Sequence, residues 1–284
     1  MTGTVVQQGS GGLSRRSLLA GAAVTTGVAL AGLPVRAHAD PASFTVLEAG
    51  TSWPDLSSYG VANQPMVYQS SLITAGEPDE TKVRSAVSTK AAEGVTQLCL
   101  DIELWELNNL PQAEFEANAA RYNQVMEWAH DEVPTMDLGW YRMLPRRDYW
   151  SPVTGDTAGW YADNARRQGM AAEVDSLYPS IYTFYANQTG WVTYAEANMD
   201  QACIYAKPAY VFLDPRYQAS GPEDIRNTFI PRDYWRLQLE TVYAHRQSSG
   251  SWIRGVVIWD SSAWDPNQGW WLETQDFMSD HGLV

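Results

Sequence analysis

Apolar positions along the chain follow two alternating periods. Short runs rich in β-branched and aromatic residues predict strands at 43–48, 65–72, 95–104, 135–142, 177–184, 209–214 and 255–260. Longer amphipathic stretches between them predict helices at 80–93, 112–132, 156–174, 189–206 and 232–247. In the second of these, Phe115, Ala119, Tyr122, Met126 and Ala129 recur at helical spacing, and Gly94 stands where the first should stop. Repeated strand-then-helix order predicts a parallel sheet with crossover helices. Seven strands without a linker or repeat between them predict an α/β fold, a single-domain (β/α) TIM-like barrel distorted by its strand number. No Gly-rich loop follows any strand, which argues against a dinucleotide fold.

The N-terminal segment has a different character. Ser14-Arg15-Arg16-Ser17-Leu18-Leu19 leads into a weakly apolar run, and Ala37-His38-Ala39 closes it in a small-x-small pattern. This predicts a twin-arginine signal peptide over residues 1–39 and a secreted barrel domain over 40–284. Gly21, Gly27 and Gly32 make the run too weak for a membrane anchor. Removing it takes three arginines and no acid, so the net charge moves from -14 to -17. That acidity argues against a nucleic-acid partner. The 13 Trp and 15 Tyr, all the Trp lying beyond residue 39, are an excess that suits the stacking of flat ligands.

In such barrels the chemistry stands where strands end. The third predicted strand reads LCLDIELWEL, so Asp101 and Glu103 leave one face while Leu98, Leu100, Ile102 and Leu104 take the other. Two carboxylates in one mouth repel, and one then keeps its proton near neutral pH, as a general acid requires. The structural alternative has Asp101 capping a loop and Glu103 pairing with an arginine. Further along, Trp140, Tyr141 and Arg142 end the fourth strand, Tyr178 and Tyr182 flank the fifth, Asp214 ends the sixth with Tyr217 beyond, and Trp259 and Asp260 end the seventh. With Tyr68 on the second strand and Trp105 after the third, they form a candidate sugar-binding surface of rings and acids. No histidine forms a spaced ligand pair, so neither a metal nor another cofactor is expected. Cys99 and Cys203 leave a disulfide open.

Four segments resemble the hyaluronidase family of glycoside hydrolases: Asp101-Ile102-Glu103-Leu104-Trp105; Gly139-Trp140-Tyr141 through Leu144-Pro145 and Asp148-Tyr149; Leu177-Tyr178-Pro179-Ser180-Ile181-Tyr182; and Gly255-Val256-Val257-Ile258-Trp259 with Ser261-Ser262. The resemblance runs from about residue 94 to 270. It implies a barrel of few strands, a polysaccharide substrate and a substrate-assisted retaining mechanism. Glu103 would be the proton donor, Asp101 would orient the substrate's N-acetyl group, Tyr182 would help hold it, and Trp259 would lie under the sugar. The family's paired cysteines are missing, and Asp260 replaces the glycine after the last tryptophan. Two rivals therefore stay open. One is a two-carboxylate glycosidase on a neutral sugar, with Asp214 or Asp260 as nucleophile or base. The other is a carbohydrate-binding barrel without catalysis. The net charge argues against a polyanionic substrate, while Arg142, Arg146 and Arg147 make a local basic strip whose members could equally be surface ion pairs.

Overall fold

The computed structural model describes residues 44–248 and 252–284. The expected export segment, residues 1–39 with Arg15 and Arg16, lies outside the described residues. Strands β1 (Thr45–Glu48), β2 (Ala62–Asn63), β3 (Met66–Tyr68), β4 (Ile73–Thr74), β5 (Glu77–Pro78), β6 (Gln97–Asp101), β7 (Asp137–Trp140), β8 (Ala209–Leu213) and β9 (Ile253–Ile258) alternate with helices. The helices are α1 (Glu80–Ala92), α2 (Gln112–Glu132), α3 (Trp150–Thr154), α4 (Ala158–Ala165), α5 (Gln168–Ala172), α6 (Gln188–Cys203), α7 (Arg232–Ser248) and α8 (Gly269–Asp280).

Parallel pairing runs in the order β2-β1-β9-β8 in one sheet and β3-β6-β7 in the other. Two irregular staves join the sheets into a ring. Residues 62–68 form one bent stave: Gln64 N donates to Glu48 O (2.7 Å), and one residue on Cys99 N donates to Pro65 O (3.1 Å). On the opposite side, residues 177–180 bridge β7 and β8 through the pairs Tyr141–Tyr178, Leu177–Ala209 and Ser180–Phe212. The seven staves thus close in chain order, as the pattern predicts. The fifth is not the continuous strand expected at 177–184. Pro179 has no N–H to give a ladder, so the stave is held by single bonds such as Arg142 N to Tyr178 O and Phe212 N to Pro179 O.

Alternation along the staves makes two cores. Leu98, Leu100, Leu138, Val211, Leu213, Val256 and Ile258 face outward under the helices. Leu47, Cys99, Tyr178, Tyr210, Phe212 and Val257 fill the interior. The interior is largely aromatic: Tyr178 stacks on Tyr210 at 5.9 Å and meets Phe212 edge-on at 6.1 Å. Glycines make room for this column. A Cβ on Gly139 would stand 2.1 Å from Ser176 O and 2.8 Å from Tyr178 Cε2, and one on Gly255 would stand 2.2 Å from Thr45 O. Cys99 is buried inside the barrel, whereas Cys203 packs on the outer core at the end of α6.

The helices follow the predicted spans with three departures, the first being the short α3, for which no helix was expected. The stretch 156–174 breaks into α4 and α5 at Arg166-Arg167, whose guanidinium groups turn to the loop after β6. Helix α8 was not expected, although its buried set Trp270, Trp271, Thr274, Phe277 and Met278 has helical spacing. Leu104, expected to pack under helices, is 53% exposed because β6 has already ended. No helix of the described residues is long and apolar enough to cross a membrane.

Gly139→Ala should destabilise the fold by about 3 kcal/mol or more, since the clash is with backbone and cannot be relieved by a rotamer change. A denaturant melt would register it as a lowered midpoint.

Candidate active site

The C-terminal ends of β3, β6 and β7, the fifth stave and the end of β9 surround a cavity of about 270 Å³. Its walls are Tyr68, Tyr141, Tyr182 and Trp259, and its polar lining is Asp101, Glu103, Arg142, Arg147 and Gln218. Tyr182 and Trp259 lie nearly parallel, with ring centroids 6.2 Å apart and planes at 22°. Tyr141 stands beside Tyr182 at 6.4 Å and rests edge-on against Phe212 at 5.0 Å. The aromatic interior therefore continues upward as the pocket wall.

The two acids differ in surroundings. Asp101 is the last residue of β6 and points into the barrel, where its Oδ1 is buried and accepts no hydrogen bond. Burial, and secondarily the charge of Glu103, push its carboxyl up to about 7, with Arg142 opposing. Glu103 lies beyond the strand, in the loop, half-exposed, and its Oε1 accepts from Arg142 Nη1 at 2.6 Å. The shared-face expectation thus holds for the pocket but not for the strand. The arginine partner foreseen as the structural alternative for Glu103 is present as well. The group with the raised proton affinity is Asp101.

Surrounding elements fix this geometry. Arg142 reaches Glu103 from a left-handed backbone turn (φ 53°) whose N–H donates to Tyr178 O at 2.9 Å. Glu103 N donates to Gln69 Oε1 at 3.3 Å. The Tyr122 hydroxyl, on α2, lies 2.8 Å from Ile102 O and 3.1 Å from Trp105 O. Arg166 and Arg167 donate to Leu107 O at 3.1 and 3.0 Å. The acid-bearing loop is therefore gripped along its length by buried or half-buried donors.

Several expected site residues stand elsewhere. Trp140 faces outward and is buried against Tyr122 (5.0 Å, 78°), because its neighbour Tyr141 takes the inward direction. Tyr178 is fully buried beneath the pocket, where Gln97 Nε2 donates to its hydroxyl at 3.0 Å. Tyr217 packs on Tyr234 in the outer core. Trp105 donates from Nε1 to Gly76 O at 2.8 Å and borders only a narrow neighbouring cavity of about 80 Å³. Asp214 is buried, and both its oxygens are engaged, by Arg216 N (2.8 Å) and Gln218 Nε2 (2.7 Å). Burial pushes its carboxyl up to about 7; the Arg216 N–H opposes this and Asp260 adds to it. Asp260 is also buried, bonded to the Ser262 backbone and hydroxyl and 3.4 Å from Arg216 Nε. Neither acid lines the pocket. Asp214 instead holds Gln218 at the pocket wall, and Gln218 was absent from the sequence reading because nothing local distinguishes it.

Of the basic strip, Arg146 pairs with Asp148 (3.2 Å), the neighbour expected, and with the buried Asp163 (3.5 Å). Arg142 and Arg147 line the pocket. Among the described residues no group of three or more His, Cys, Asp or Glu side chains could hold a metal ion.

No family model matches the chain, and neither does any curated protein. Solved structures do. Bee venom hyaluronidase in complex with a hyaluronic acid tetramer aligns with a TM-score of 0.61, covering 84% of this chain and 97% of that one at 14% identity. A monoclinic crystal form of bee venom hyaluronidase gives 0.57, covering 84% and 98% at 13% identity. The chain has the fold of these proteins, an α/β barrel of parallel strands.

Asp101→Asn should stabilise the protein at pH 8 by up to about 4 kcal/mol. The folded state holds the Asp101 proton more tightly than the unfolded chain, so the carboxyl destabilises the fold progressively as pH rises from about 4 to about 7. Melting temperatures across that range should show the variant's advantage vanishing at the acid end.

Proposed function

We propose that this protein is a glycoside hydrolase that cleaves O-glycosidic bonds of a polysaccharide, with Glu103 as general acid and Asp101 as its partner. The observation that carries this reading is the acid pair at one strand end, facing an aromatic-walled pocket, one member buried and the other solvent-accessible. A pyranose ring stacks its C–H face on Trp259, braced by Tyr182. Burial raises the proton affinity of Asp101, while Arg142 Nη1 donates to the Glu103 carboxyl. That ion pair is half-exposed and weak, so an entering sugar displaces Arg142 at small cost. Glu103 then takes up a proton from Asp101 or from solvent.

Glu103 gives that proton to the leaving oxygen as the bond to the anomeric carbon breaks. On an N-acetylated sugar, the acetamido carbonyl attacks the anomeric carbon while Asp101 orients the N–H, and Tyr182 borders the same space. Water then attacks that carbon, Glu103 accepts its proton, and the configuration is retained. The two-carboxylate route has less support, because Asp214 and Asp260 are occupied internally. The non-catalytic reading draws on the Glu103–Arg142 pair, which ties up the candidate acid while it lasts. The hyaluronic acid bound by the bee venom protein is one candidate substrate; the net charge of -17 beyond residue 39 opposes a long polyanion, whereas Arg142 and Arg147 in the lining favour an acidic group at the site itself. We further propose export by the twin-arginine route with loss of residues 1–39, which rests on Arg15, Arg16 and the Ala37-His38-Ala39 pattern.

Glu103→Gln should lower kcat on the cleaved polysaccharide about a hundredfold or more while the protein still binds it. Reducing-end release from a panel of neutral, N-acetylated and uronate polysaccharides checks this. Full activity in the variant refutes the assignment, and retention of a glycan by the wild type without any product supports the binding-only barrel.

A further inference from the structure

Two loops rise from the barrel on the face that carries the acid pair. One follows β7 and ends where α3 begins at Trp150; the other follows the fifth stave and runs through Phe184 and Tyr185 to α6. Trp150 is 56% exposed, the most open aromatic side chain among the described residues. Its ring nevertheless has a defined seat. Tyr149 meets it edge-on at 5.1 Å (86°), and Tyr185 lies against it at 5.4 Å. Tyr185 in turn rests on Tyr149 at 4.8 Å and neighbours Phe184 at 6.3 Å.

This cluster is continuous with the pocket. The Arg147 guanidinium lies 4.8 Å from the Phe184 ring centroid and 6.0 Å from that of Tyr182, and its Nη1 donates to Ser180 Oγ at 3.0 Å. The loop bearing Trp150 is also anchored. Asn198 of α6 accepts from Asp148 N (3.3 Å) and donates to Asp148 O (3.0 Å), while Asp148 Oδ1 caps Ser151 N (2.8 Å). Trp160 Nε1 donates to Arg146 O at 2.7 Å. A large apolar ring is thus held in place, facing water, at the end of a path of rings that starts inside the pocket. The fold gains little from it there, and a sugar face is what such a ring fits.

We propose that Trp150 and Tyr185 form a distal glycan subsite, on which a further sugar of the same chain stacks while another occupies the pocket over Asp101 and Glu103. The inference rests on the polysaccharide reading above. It makes recognition depend on chain length: long glycans engage both surfaces, and short ones reach only the pocket.

The test is Trp150→Ala, with Trp150→Tyr as the conservative variant. Exposure of the side chain leaves the fold intact, which an unchanged melting temperature verifies. The ratio of kcat/KM on long chains to that on the shortest cleaved oligosaccharide should fall about tenfold in the alanine variant and recover in the tyrosine variant. In a Glu103→Gln background, retardation in gels containing the same polysaccharide should weaken in parallel. Cleavage by the wild type with an unaltered ratio in Trp150→Ala overturns the subsite and leaves the glycosidase reading standing. Failure of the wild type to cleave or retain any polysaccharide overturns the glycosidase reading itself. Wild-type dimers that Trp150→Ala converts to monomers in sedimentation also overturn the subsite, because the ring is then covered by a second copy.

Discussion

Everything in this fold depends on closing a ring of very short parallel strands. Strands of four to six residues such as β1, β7 and β9 have too few ladder bonds to stand alone, and each would leave open edges. Closure removes the edges, but it demands that two irregular staves, 62–68 and 177–180, span the gaps between the regular sheets. The chain meets that demand with small residues where staves press together, Gly139 beside Ser176 and Gly255 beside Thr45. Tyr178 and Tyr210 then stack in the interior of the closed ring.

The pocket is a direct product of this closure. Because alternate residues point inward, the aromatic filling must end at the C-terminal rim, and its last layer is Tyr141, Tyr182 and Trp259. Asp101 belongs to the same layer. It is desolvated by the rings around it, and the loop just beyond gives Glu103 access to water. Two carboxylates two residues apart thus acquire different chemistry from a change in backbone state at a strand end, without any special motif around them.

Much of this was legible in the linear order. The period of α2 and the seven apolar runs led to the barrel, and the D-x-E segment with Tyr182 and Trp259 led to the pocket. What was hidden depends on parity and on partners far along the chain. Trp140 and Tyr141 are adjacent, and only the pairing of β7 with β6 decides which of them faces inward. Asp214 and Asp260 look like catalytic acids at strand ends, yet Arg216, Gln218 and Ser262 consume their oxygens. Gln218 emerges only because Asp214 holds it there. The break between α4 and α5 follows from long-range bonds of Arg166 and Arg167 to the loop after β6, which no helical period encodes.

The uneven burial of the tryptophans also sets how the protein responds to light. Trp140, Trp160, Trp191, Trp235 and Trp271 are fully enclosed, and Trp53, Trp264, Trp270 and Trp271 crowd within about 5 to 6 Å of one another. Indoles this close exchange excitation, so those around α8 absorb and emit as a coupled group. Trp259 and Trp150, the two on the proposed glycan path, are two of the 13 indoles. Unfolding of the barrel would thus change the surroundings of all 13 indoles, and a glycan on that path the surroundings of two.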